Sequence, residues 1–410
     1  MQWSNRAMLR LLIENTSDRE DNNMAEWQTV RLGTIVSTNQ NTYSPKENWQ
    51  FVNYLDTGNI TMNRVDEIQC INILTDKLPS RARRKVKSNS IIYSTVRPNQ
   101  LHYGIIKEQP ENFLVSTGFA VIDVDFKKAV PDYIYYALTQ QEVTEQLQAI
   151  AEQSVSAYPS IKPSDIEKLE LLLPDKNTQG KIVAILKSID EKIKQNNEIN
   201  NNLELQAQAL FKKLFSDTTS DKNVTLGNVT TNIRERIGDG NAVVLSAVNT
   251  GKLQPSDEFF TKRVYSKDIS KYIIVREGTF AYNPARINIG SIGINDLGIT
   301  GCVSPVYVVF SVDDEYQSFF EFYFKTETFR AEAMLRASGS VRQSLNYSDF
   351  VLIKTQYPDR KTAKMFNDFW LHQKSVILQL KRENSKLEEL RDSLLPRLMS
   401  GEIDVSDIDL

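Results

Sequence analysis

The feature that most constrains this chain is an internal repeat, in which short landmarks recur in the same order along 410 residues. Pro174-Asp175-Lys176-Asn177-Thr178 and Pro358-Asp359-Arg360-Lys361-Thr362 lie 184 positions apart. Nearer the start of each copy, Val30-Arg31-Leu32-Gly33 resembles Val224-Thr225-Leu226-Gly227. Repeated landmarks in one order indicate a duplicated architecture. The chain is therefore predicted to contain two similar domains, each followed by the same kind of element.

A long apolar periodicity follows each Pro-Asp landmark. Apolar residues recur at steps of three and four, which is the spacing of a coiled-coil seam. Asn200 and Asn384 fall at the same step of the two patterns, and a buried Asn on such a seam commonly fixes the register. We therefore predict two long spacer helices that pair antiparallel. The predicted pairing residues are Ile182, Leu186, Ile189, Ile193, Asn200, Leu203, Leu210, Leu214, Phe366, Trp370, Ile377, Leu380, Asn384, Leu387, Leu394 and Leu398.

The segments between the helices contain short β-branched and aromatic runs. Ser90-Ile91-Ile92-Tyr93 in the first copy resembles Thr279-Phe280-Ala281-Tyr282 in the second, and such runs bounded by Gly, Pro and Asn predict strands. The expected fold is mixed α/β (α+β), with two tandem globular domains, two antiparallel spacer helices and an internal pseudo-two-fold axis. The predicted divisions are 24–173 and 218–357 for the globular domains, 174–217 and 358–401 for the spacer helices, 402–410 for an acidic tail and 1–23 for an extension outside the repeat.

Composition excludes several classes of protein. Two cysteines, Cys70 and Cys302, and two histidines, His102 and His372, cannot form a disulfide framework, a Cys-rich zinc site or a multi-histidine metal site. The net charge of −3 argues against a uniformly basic nucleic-acid coat protein but leaves room for a local basic patch. No apolar run reaches the roughly 18 residues of a membrane span. We therefore expect a cytoplasmic protein.

The motifs of nucleotide and cofactor chemistry are missing from the sequence. No strand is followed by a glycine-rich loop that opens a helix, and no Gly-x-x-x-x-Gly-Lys-Ser/Thr run occurs. Asn283-Pro284-Ala285-Arg286 lacks the second Pro and the aromatic residue of an adenine-methyltransferase loop. We expect no catalytic residue, metal or cofactor in this chain.

Several segments carry a family resemblance. The segments are Trp27-x-x-x-x-Leu32-Gly33, the run from Tyr282 to Gly293, Ser338-Gly339-Ser340-Val341-Arg342-Gln343, Ala209 to Phe215, and Leu394 to Ile403. From Met24 to about Ile403, the chain resembles the specificity subunit of a type I restriction-modification enzyme. The duplicated architecture is more specific to that family than any single motif.

The resemblance implies a function and a set of partners. The two globular domains would be target-recognition domains that bind the halves of a split, asymmetric site on double-stranded DNA. Two methyltransferase subunits would dock on the spacer helices, and endonuclease subunits would join that core. S-adenosylmethionine, ATP and Mg would then be bound by those partner subunits.

Basic and polar segments in both copies are candidates for DNA contact, because Arg and Lys bind phosphates while Arg, Asn and Gln can read bases. Their ordinary alternatives are solvated loops and turn chemistry around proline. In the first copy the candidates are Arg81, Arg83, Arg84, Lys85, Lys87, Arg97, Asn99, Gln100, His102, Tyr103, Ser156, Tyr158 and Lys162. In the second copy they are Arg234, Arg236, Asn283, Arg286, Asn288, Arg336, Ser338, Ser340, Arg342 and Gln343, with the last five expected in one glycine-containing loop.

Two other functions remain open at this point. One is a self-contained adenine-specific DNA methyltransferase or a type IIB-like specificity chain, which would bind S-adenosylmethionine itself. The other is a coiled-coil scaffold for protein assembly, which would not bind DNA.

Overall fold

The computed structural model describes residues 27–154, 158–215, 223–260, 262–337 and 344–408. The chain divides into two compact units. Unit 1 is formed by the described residues within Met1–Gln195 and Asn384–Leu410, and unit 2 is Asn196–Glu383. The division runs through the middle of both long helices, so each unit includes a part of each helix. The mixed α/β class with two sheet-containing units and two long helices agrees with the prediction.

The first strand of unit 1 pairs antiparallel with the last strand before the first long helix. Its strands are β1 (Gln28–Arg31), β2 (Val36–Thr38), β3 (Phe51–Leu55), β4 (Ile60–Thr61), β5 (Arg64–Val65), β6 (Gln69–Asn72), β7 (Ala82–Lys85), β8 (Ile91–Ser94), β9 (Tyr103–Ile105), β10 (Phe113–Ser116), β11 (Phe119–Val124) and β12 (Glu170–Leu173). Its helices are α1 (Pro131–Leu138), α2 (Gln141–Glu152), α3 (Pro163–Glu167) and the first part of α4 (Lys176–Phe215).

Unit 2 repeats this order with shorter connections. Its strands are β13 (Asn223–Thr225), β14 (Thr231–Ile233), β15 (Val243–Ala247), β16 (Leu253–Pro255), β17 (Ile273–Val275), β18 (Phe280–Tyr282), β19 (Ile292–Ile294), β20 (Gly301–Val303), β21 (Val308–Ser311) and β22 (Lys354–Gln356). Its helices are α5 (Leu226–Val229), α6 (Ser256–Phe259), α7 (Gln317–Tyr323), α8 (Glu327–Arg336), α9 (Tyr347–Phe350) and the first part of α10 (Arg360–Met399).

The sheets of the two units have matching strand orders. The sheet β6-β3-β10-β7 of unit 1 corresponds to β16-β15-β20-β17 of unit 2, and both contain one parallel pair, β3 with β10 and β15 with β20. The sheet β2-β11-β8-β9 corresponds to β14-β21-β18-β19, and the two-stranded β1-β12 corresponds to β13-β22. The duplication detected in the landmarks is therefore a duplication of the whole fold.

The repeated Leu-Gly landmark has a steric cause. Leu32 and Leu226 are fully buried, and their backbone N–H groups donate to the carbonyls of Leu169 at 2.8 Å and Ile353 at 2.9 Å. A Cβ on Gly33 would lie 3.0 Å from the carbonyl oxygen of Glu167, and one on Gly227 would lie 3.0 Å from the Cβ of Val351. Because the backbone approaches the end of a short helix this closely, a side chain does not fit without a shift.

The repeated Pro-Asp landmark starts each long helix. The Asp175 carboxylate accepts hydrogen bonds from the N–H of Asn177 at 2.8 Å and the hydroxyl of Thr178 at 2.6 Å. The Asp359 carboxylate accepts from the N–H of Thr362 at 3.0 Å. These bonds satisfy N–H groups that have no partner within the helix. They also hold the pKa of both aspartates below the usual value.

The helix parts pack antiparallel inside each unit. In unit 1, Arg391 donates to Asp190 at 3.1 Å, and the Lys181 ammonium donates to the carbonyl of Ser406 at 2.6 Å. The predicted seam residues of this unit that are buried are Ile182, Leu186, Ile189, Ile193, Asn384, Leu394 and Leu398, while Leu387 is partly buried.

Unit 2 contains the other helix parts in the same antiparallel sense. Asn196 donates to Glu383 at 3.2 Å, and the Phe211 and Phe366 rings lie 5.6 Å apart. The seam residues that are buried here are Asn200, Phe366, Trp370 and Ile377, while Leu203, Leu210, Leu214 and Leu380 are partly buried.

The end of the chain is more than an acidic tail. Val405 is buried in the core of unit 1, and Ile403 and Ile408 pack against the same core. Gly401 has a φ of +79°, and a Cβ there would lie 3.1 Å from the Trp27 ring. The described residues after α10 therefore fold back onto the first strand region of unit 1. The predicted extension at 1–23 lies outside the described residues.

Candidate nucleic-acid interface

The basic run of unit 1 forms an edge strand rather than a loop. In β7, Ala82 is fully buried, whereas Arg83 and Lys85 lie on the other face and are half-buried. The free edge of the strand is covered, because the N–H of Tyr43 donates to the carbonyl of Arg83 at 2.8 Å. A strand in this position holds its cations at fixed spacing, since side chains alternate between the faces.

Three of these cations already form ion pairs or are partly buried within unit 1. The Lys85 ammonium pairs with Glu47, which lowers the pKa of that carboxyl, and lies 5.1 Å from the Trp49 ring centroid. The Lys87 ammonium is 3.4 Å from the buried carboxylate of Asp123. Partial burial lowers the pKa of Arg84. Arg81, which directly precedes β7, is exposed.

Backbone hydrogen bonds place Arg81 and Arg97 along one edge of unit 1. The N–H of Thr117 donates to the carbonyl of Arg81 at 2.8 Å. Gly118 follows Thr117, and its carbonyl accepts a hydrogen bond from the N–H of Thr95 at 2.8 Å. Two residues after Thr95, the N–H of Arg97 donates to the carbonyl of Pro159 at 2.9 Å. We call this strip, from Arg81 through the 116–118 turn to Arg97 and Tyr158, the polar edge.

The polar edge carries an exposed Arg–aromatic pair. The Arg97 guanidinium lies 5.4 Å from the ring centroid of Tyr158, and Tyr158 is 61% exposed. Arg97 has a φ of +48°, a conformation that costs free energy for a non-glycine residue and clusters at functional sites. Asn99 and Gln100 follow in an exposed 3-10 turn. A cation, an amide and a ring that project together can contact phosphates and stack on bases.

Lys162 is a further exposed candidate near this strip. It is exposed in the connection that precedes α3, and its backbone N–H donates to Asp165 at 2.9 Å. Tyr158 and Lys162 therefore flank the backbone segment that Arg97 bonds to.

Tyr103 is a core residue, and the expectation that it contacts DNA was wrong. It is 4% exposed, its ring is stacked 5.6 Å from that of Tyr93, and burial raises its pKa to about 12. The His102 ring makes its hydrogen-bond contacts within the unit. Its Nδ1 lies 2.7 Å from the carbonyl oxygen of Ile60 and 3.3 Å from the hydroxyl of Thr61. This ring ties the β9 entrance to β4.

In unit 2 the basic residues lie beside the edge strand instead of within it. Ile273–Val275 is apolar and its exposed edge is bridged by Arg236. Arg234 and Arg236 are exposed on that covering segment, and Glu235 between them pairs with Arg276 at 2.7 Å. The two units therefore present different charges at the same place in the fold.

The turn after β18 presents two of the predicted residues. Arg286 and Asn288 are exposed, whereas Ile287 between them is buried. Asn283 uses its side-chain oxygen to accept a hydrogen bond from the N–H of Ala285 at 3.1 Å. Asn283 therefore caps the turn, which is a structural role.

Arg336 ends a helix rather than lying in a loop. It is the last residue of α8, and its guanidinium lies 3.6 Å from Glu332 one turn earlier. The remaining candidates lie outside the described residues, and they are Ser156, Ser338, Ser340, Arg342 and Gln343.

Sequence reasoning missed one basic segment of unit 2. Between α6 and β17, Lys262, Arg263, Lys267 and Lys271 are all exposed. The Arg263 guanidinium lies 4.5 Å from the Tyr265 ring centroid. The density of cations within residues 262–271 is visible in the sequence and could have indicated this segment.

The described residues contain neither a metal-binding cluster nor a helix that could span a membrane. Across those ranges, no three His, Cys, Asp or Glu side chains come together as a metal-binding group. In the same ranges, no helix combines the length and apolar character of a membrane span.

The matching strand orders define a protein built of two related units, and the residues at their edge strands differ. Residues 24–205 match the family described as type I restriction modification DNA specificity domain. This part of the chain is therefore similar to the DNA specificity domain of type I restriction-modification systems.

Individual relatives cover different parts of the chain. The HindI specificity subunit of Haemophilus influenzae is 34% identical over 194 residues, which are 47% of this chain and 42% of that protein. The MjaIX specificity subunit of Methanocaldococcus jannaschii is 32% identical over 94 residues, 23% of this chain and 21% of that protein. The chain thus spans less than half the length of the curated relatives it matches.

One solved structure has the same fold over nearly the whole chain. The type I restriction-modification S subunit of M. genitalium superposes with a TM-score of 0.56, covers 93% of this chain and 98% of its own, and is 17% identical. At this identity the likeness concerns the fold.

Proposed function

We propose that this chain is the DNA-recognition subunit of a type I restriction-modification system. Each unit binds one half of a split, asymmetric site on double-stranded DNA, and the chain itself performs no catalysis. It acts in the cytoplasm, where it directs catalytic partners to the site.

The observation that carries the proposal is that one fold occurs twice with different polar surfaces. The sheets of the two units have the same strand order, yet β7 is basic where β17 is apolar. Identical readers would suit a symmetric site, whereas similar folds with unlike surfaces suit two unlike half-sites. The exposed Arg and Asn side chains are of the types that bind phosphates and bases.

The partners in this proposal are two methyltransferase subunits and the endonuclease subunits. The long helices offer a surface for docking, because Leu371 and Leu378 are seven residues apart on α10 and about half exposed. Residues at this spacing share a helix face. S-adenosylmethionine, ATP and Mg are assigned to the partner subunits, as the missing cofactor motifs of this sequence suggest.

In vitro selection tests the proposal. The full chain, co-purified with the methyltransferase subunit of its system, is used to enrich bound duplexes from a randomised pool. We expect one bipartite, non-palindromic motif with an unread centre. No enrichment would overturn the proposed function and favour a protein scaffold. Binding of S-adenosylmethionine to the chain alone, measured by calorimetry, would favour a self-contained methyltransferase.

A further inference from the structure

The turns after β8 and β18 correspond residue by residue. In unit 1 the N–H of Leu101 donates to the carbonyl of Pro98 at 3.0 Å, and in unit 2 the N–H of Gly290 donates to the carbonyl of Ile287 at 3.0 Å. Leu101 and Gly290 both have left-handed backbones, with φ of +57° and +77°. The two turns therefore close in the same way at the same place.

The next hydrogen bond confirms this register. The N–H of Tyr103 donates to the carbonyl of Leu101 at 3.0 Å, and the N–H of Ile292 donates to the carbonyl of Gly290 at 2.8 Å. Each donor is the first residue of the following strand, β9 or β19. No insertion separates the two turns, so equivalent residues can be identified by counting back from these donors.

Counting back pairs Arg97 with Arg286 and Asn99 with Asn288. All four side chains are exposed. The residue between Arg and Asn is buried in both units, Pro98 in one and Ile287 in the other. A buried anchor with an exposed residue on either side holds both polar side chains outward at a fixed place.

The Arg side chains of these turns are available for a ligand. Within the described part of the chain, neither Arg97 nor Arg286 has a carboxylate at ion-pair distance. The Arg97 guanidinium lies 5.4 Å from the ring centroid of the exposed Tyr158. A cation held in this way can approach an anion without first breaking an ion pair.

The surroundings of the two turns differ while the Arg and Asn do not. Gln100 of unit 1 corresponds to Ile289 of unit 2. If the two units recognise different DNA sequences, the residues that they share cannot account for that difference in sequence preference. The chemical group common to every DNA sequence is the phosphate, which Arg and Asn side chains bind.

We propose that Arg97 with Asn99, and Arg286 with Asn288, are equivalent phosphate-binding pairs that position each unit on DNA without reading its sequence. This inference rests on the proposed DNA-recognition function and adds to it a division of labour. The shared pairs supply sequence-independent affinity, and the residues that differ between the units supply specificity.

The test uses Arg97→Met and Arg286→Met, alone and combined, because Met keeps an unbranched apolar stem and removes the charge. Affinity of the full chain in complex with its methyltransferase subunit is measured by fluorescence anisotropy over a salt series. Two duplexes are compared, one with the selected motif and one with it scrambled. Each substitution is expected to weaken binding to both duplexes by the same factor. Each is also expected to reduce the magnitude of the log K against log salt slope by about one, and the double variant by about two.

Matched variants separate this role from general effects of charge or folding. Lys127→Met removes an exposed cation at the opposite end of β11 and should leave affinity and slope unchanged. Arg97→Lys keeps the positive charge and should keep the salt slope. Thermal unfolding of each variant reports whether the unit that carries the substitution remains folded.

Two results would overturn the inference while leaving the proposed function intact. Unchanged affinity in folded Arg→Met variants would show that the turns do not contact DNA. A changed base preference in repeated selection would show that they read bases. Failure of the unmodified complex to bind any duplex would overturn the proposed function together with the inference.

Discussion

At the scale of single residues, equivalent helix positions carry opposite charges in the two units. Asp190 and Lys374 lie 184 positions apart in the repeat. Asp190 accepts hydrogen bonds from Tyr136 at 2.7 Å and Arg391 at 3.1 Å. Lys374 lies 2.6 Å from the buried Glu321 and 2.8 Å from Asp296. Each helix part is therefore electrostatically suited to its own unit.

Removing the cation of unit 2 should be costly. Lys374→Met leaves the buried Glu321 without its nearest cation, and loss of one partner of a buried pair costs about 3–5 kcal/mol. Denaturant unfolding should therefore show a strongly destabilised unit 2. Lys364→Met, which removes an exposed cation of the same helix, is the control and should change the unfolding free energy little.

The same glutamate predicts a pH dependence. Burial raises the pKa of Glu321, but the ammonium groups of Lys374 and Lys325 outweigh burial, and the pKa lies below its usual value of 4.5. The ionised form therefore stabilises the folded state above that value, and this contribution is lost as pH falls below it. The melting temperature of the unmodified chain should fall more steeply below pH 4.5 than that of Glu321→Gln. Parallel curves would contradict this account.

At the scale of elements, each long helix begins directly after an aspartate that accepts hydrogen bonds from N–H groups of the first turn. Replacing an N-cap Asp with Ala typically costs about 1 kcal/mol. We expect Asp175→Ala to destabilise unit 1 and Asp359→Ala to destabilise unit 2 by about that amount, measured by denaturant unfolding. Substitution of the neighbouring exposed Lys176 or Lys361 by Ala should leave stability almost unchanged.

The helix seam offers a matched pair of substitutions. Leu203 is partly buried against the core of unit 2, whereas Leu205 on the same helix is 59% exposed. Leu203→Asp places a charge in an apolar contact and should cost about 2–4 kcal/mol, while Leu205→Asp should cost little. We also expect Leu203→Asp, like Leu387→Asp, to abolish co-purification with methyltransferase subunits. Retained co-purification would contradict the proposed docking on paired helices.

At the scale of the whole molecule, the sequence predicts those features that depend on local chemistry. The long helices follow from apolar spacing, and each starts directly after its Pro-Asp landmark. The Leu-Gly landmarks, in contrast, have a tertiary cause, because Gly33 and Gly227 lie against residues that are distant in sequence. The burial of Tyr103 could not be predicted, because it depends on stacking against Tyr93 in another strand.

Contacts between residues distant in sequence also limited the prediction of which cations are available to bind DNA. Lys85 is held by Glu47 and lies near Trp49, and both partners belong to a segment far from it in sequence. The sequence places Arg97 with a proline after one matched strand and Arg286 with a proline after the other, and the hydrogen bonds of the two turns fix the exact register. Residue type indicated which side chains could bind DNA, whereas the fold decided which are exposed.

The central claim is that two unlike units of one duplicated chain define a single split target. Mapping adenine methylation across host DNA, with and without the gene for this chain, tests that claim most directly. The account predicts that deletion removes methylation from one asymmetric motif made of two parts separated by a gap of constant length. An unchanged methylation map, or loss of a continuous palindromic motif, would contradict it.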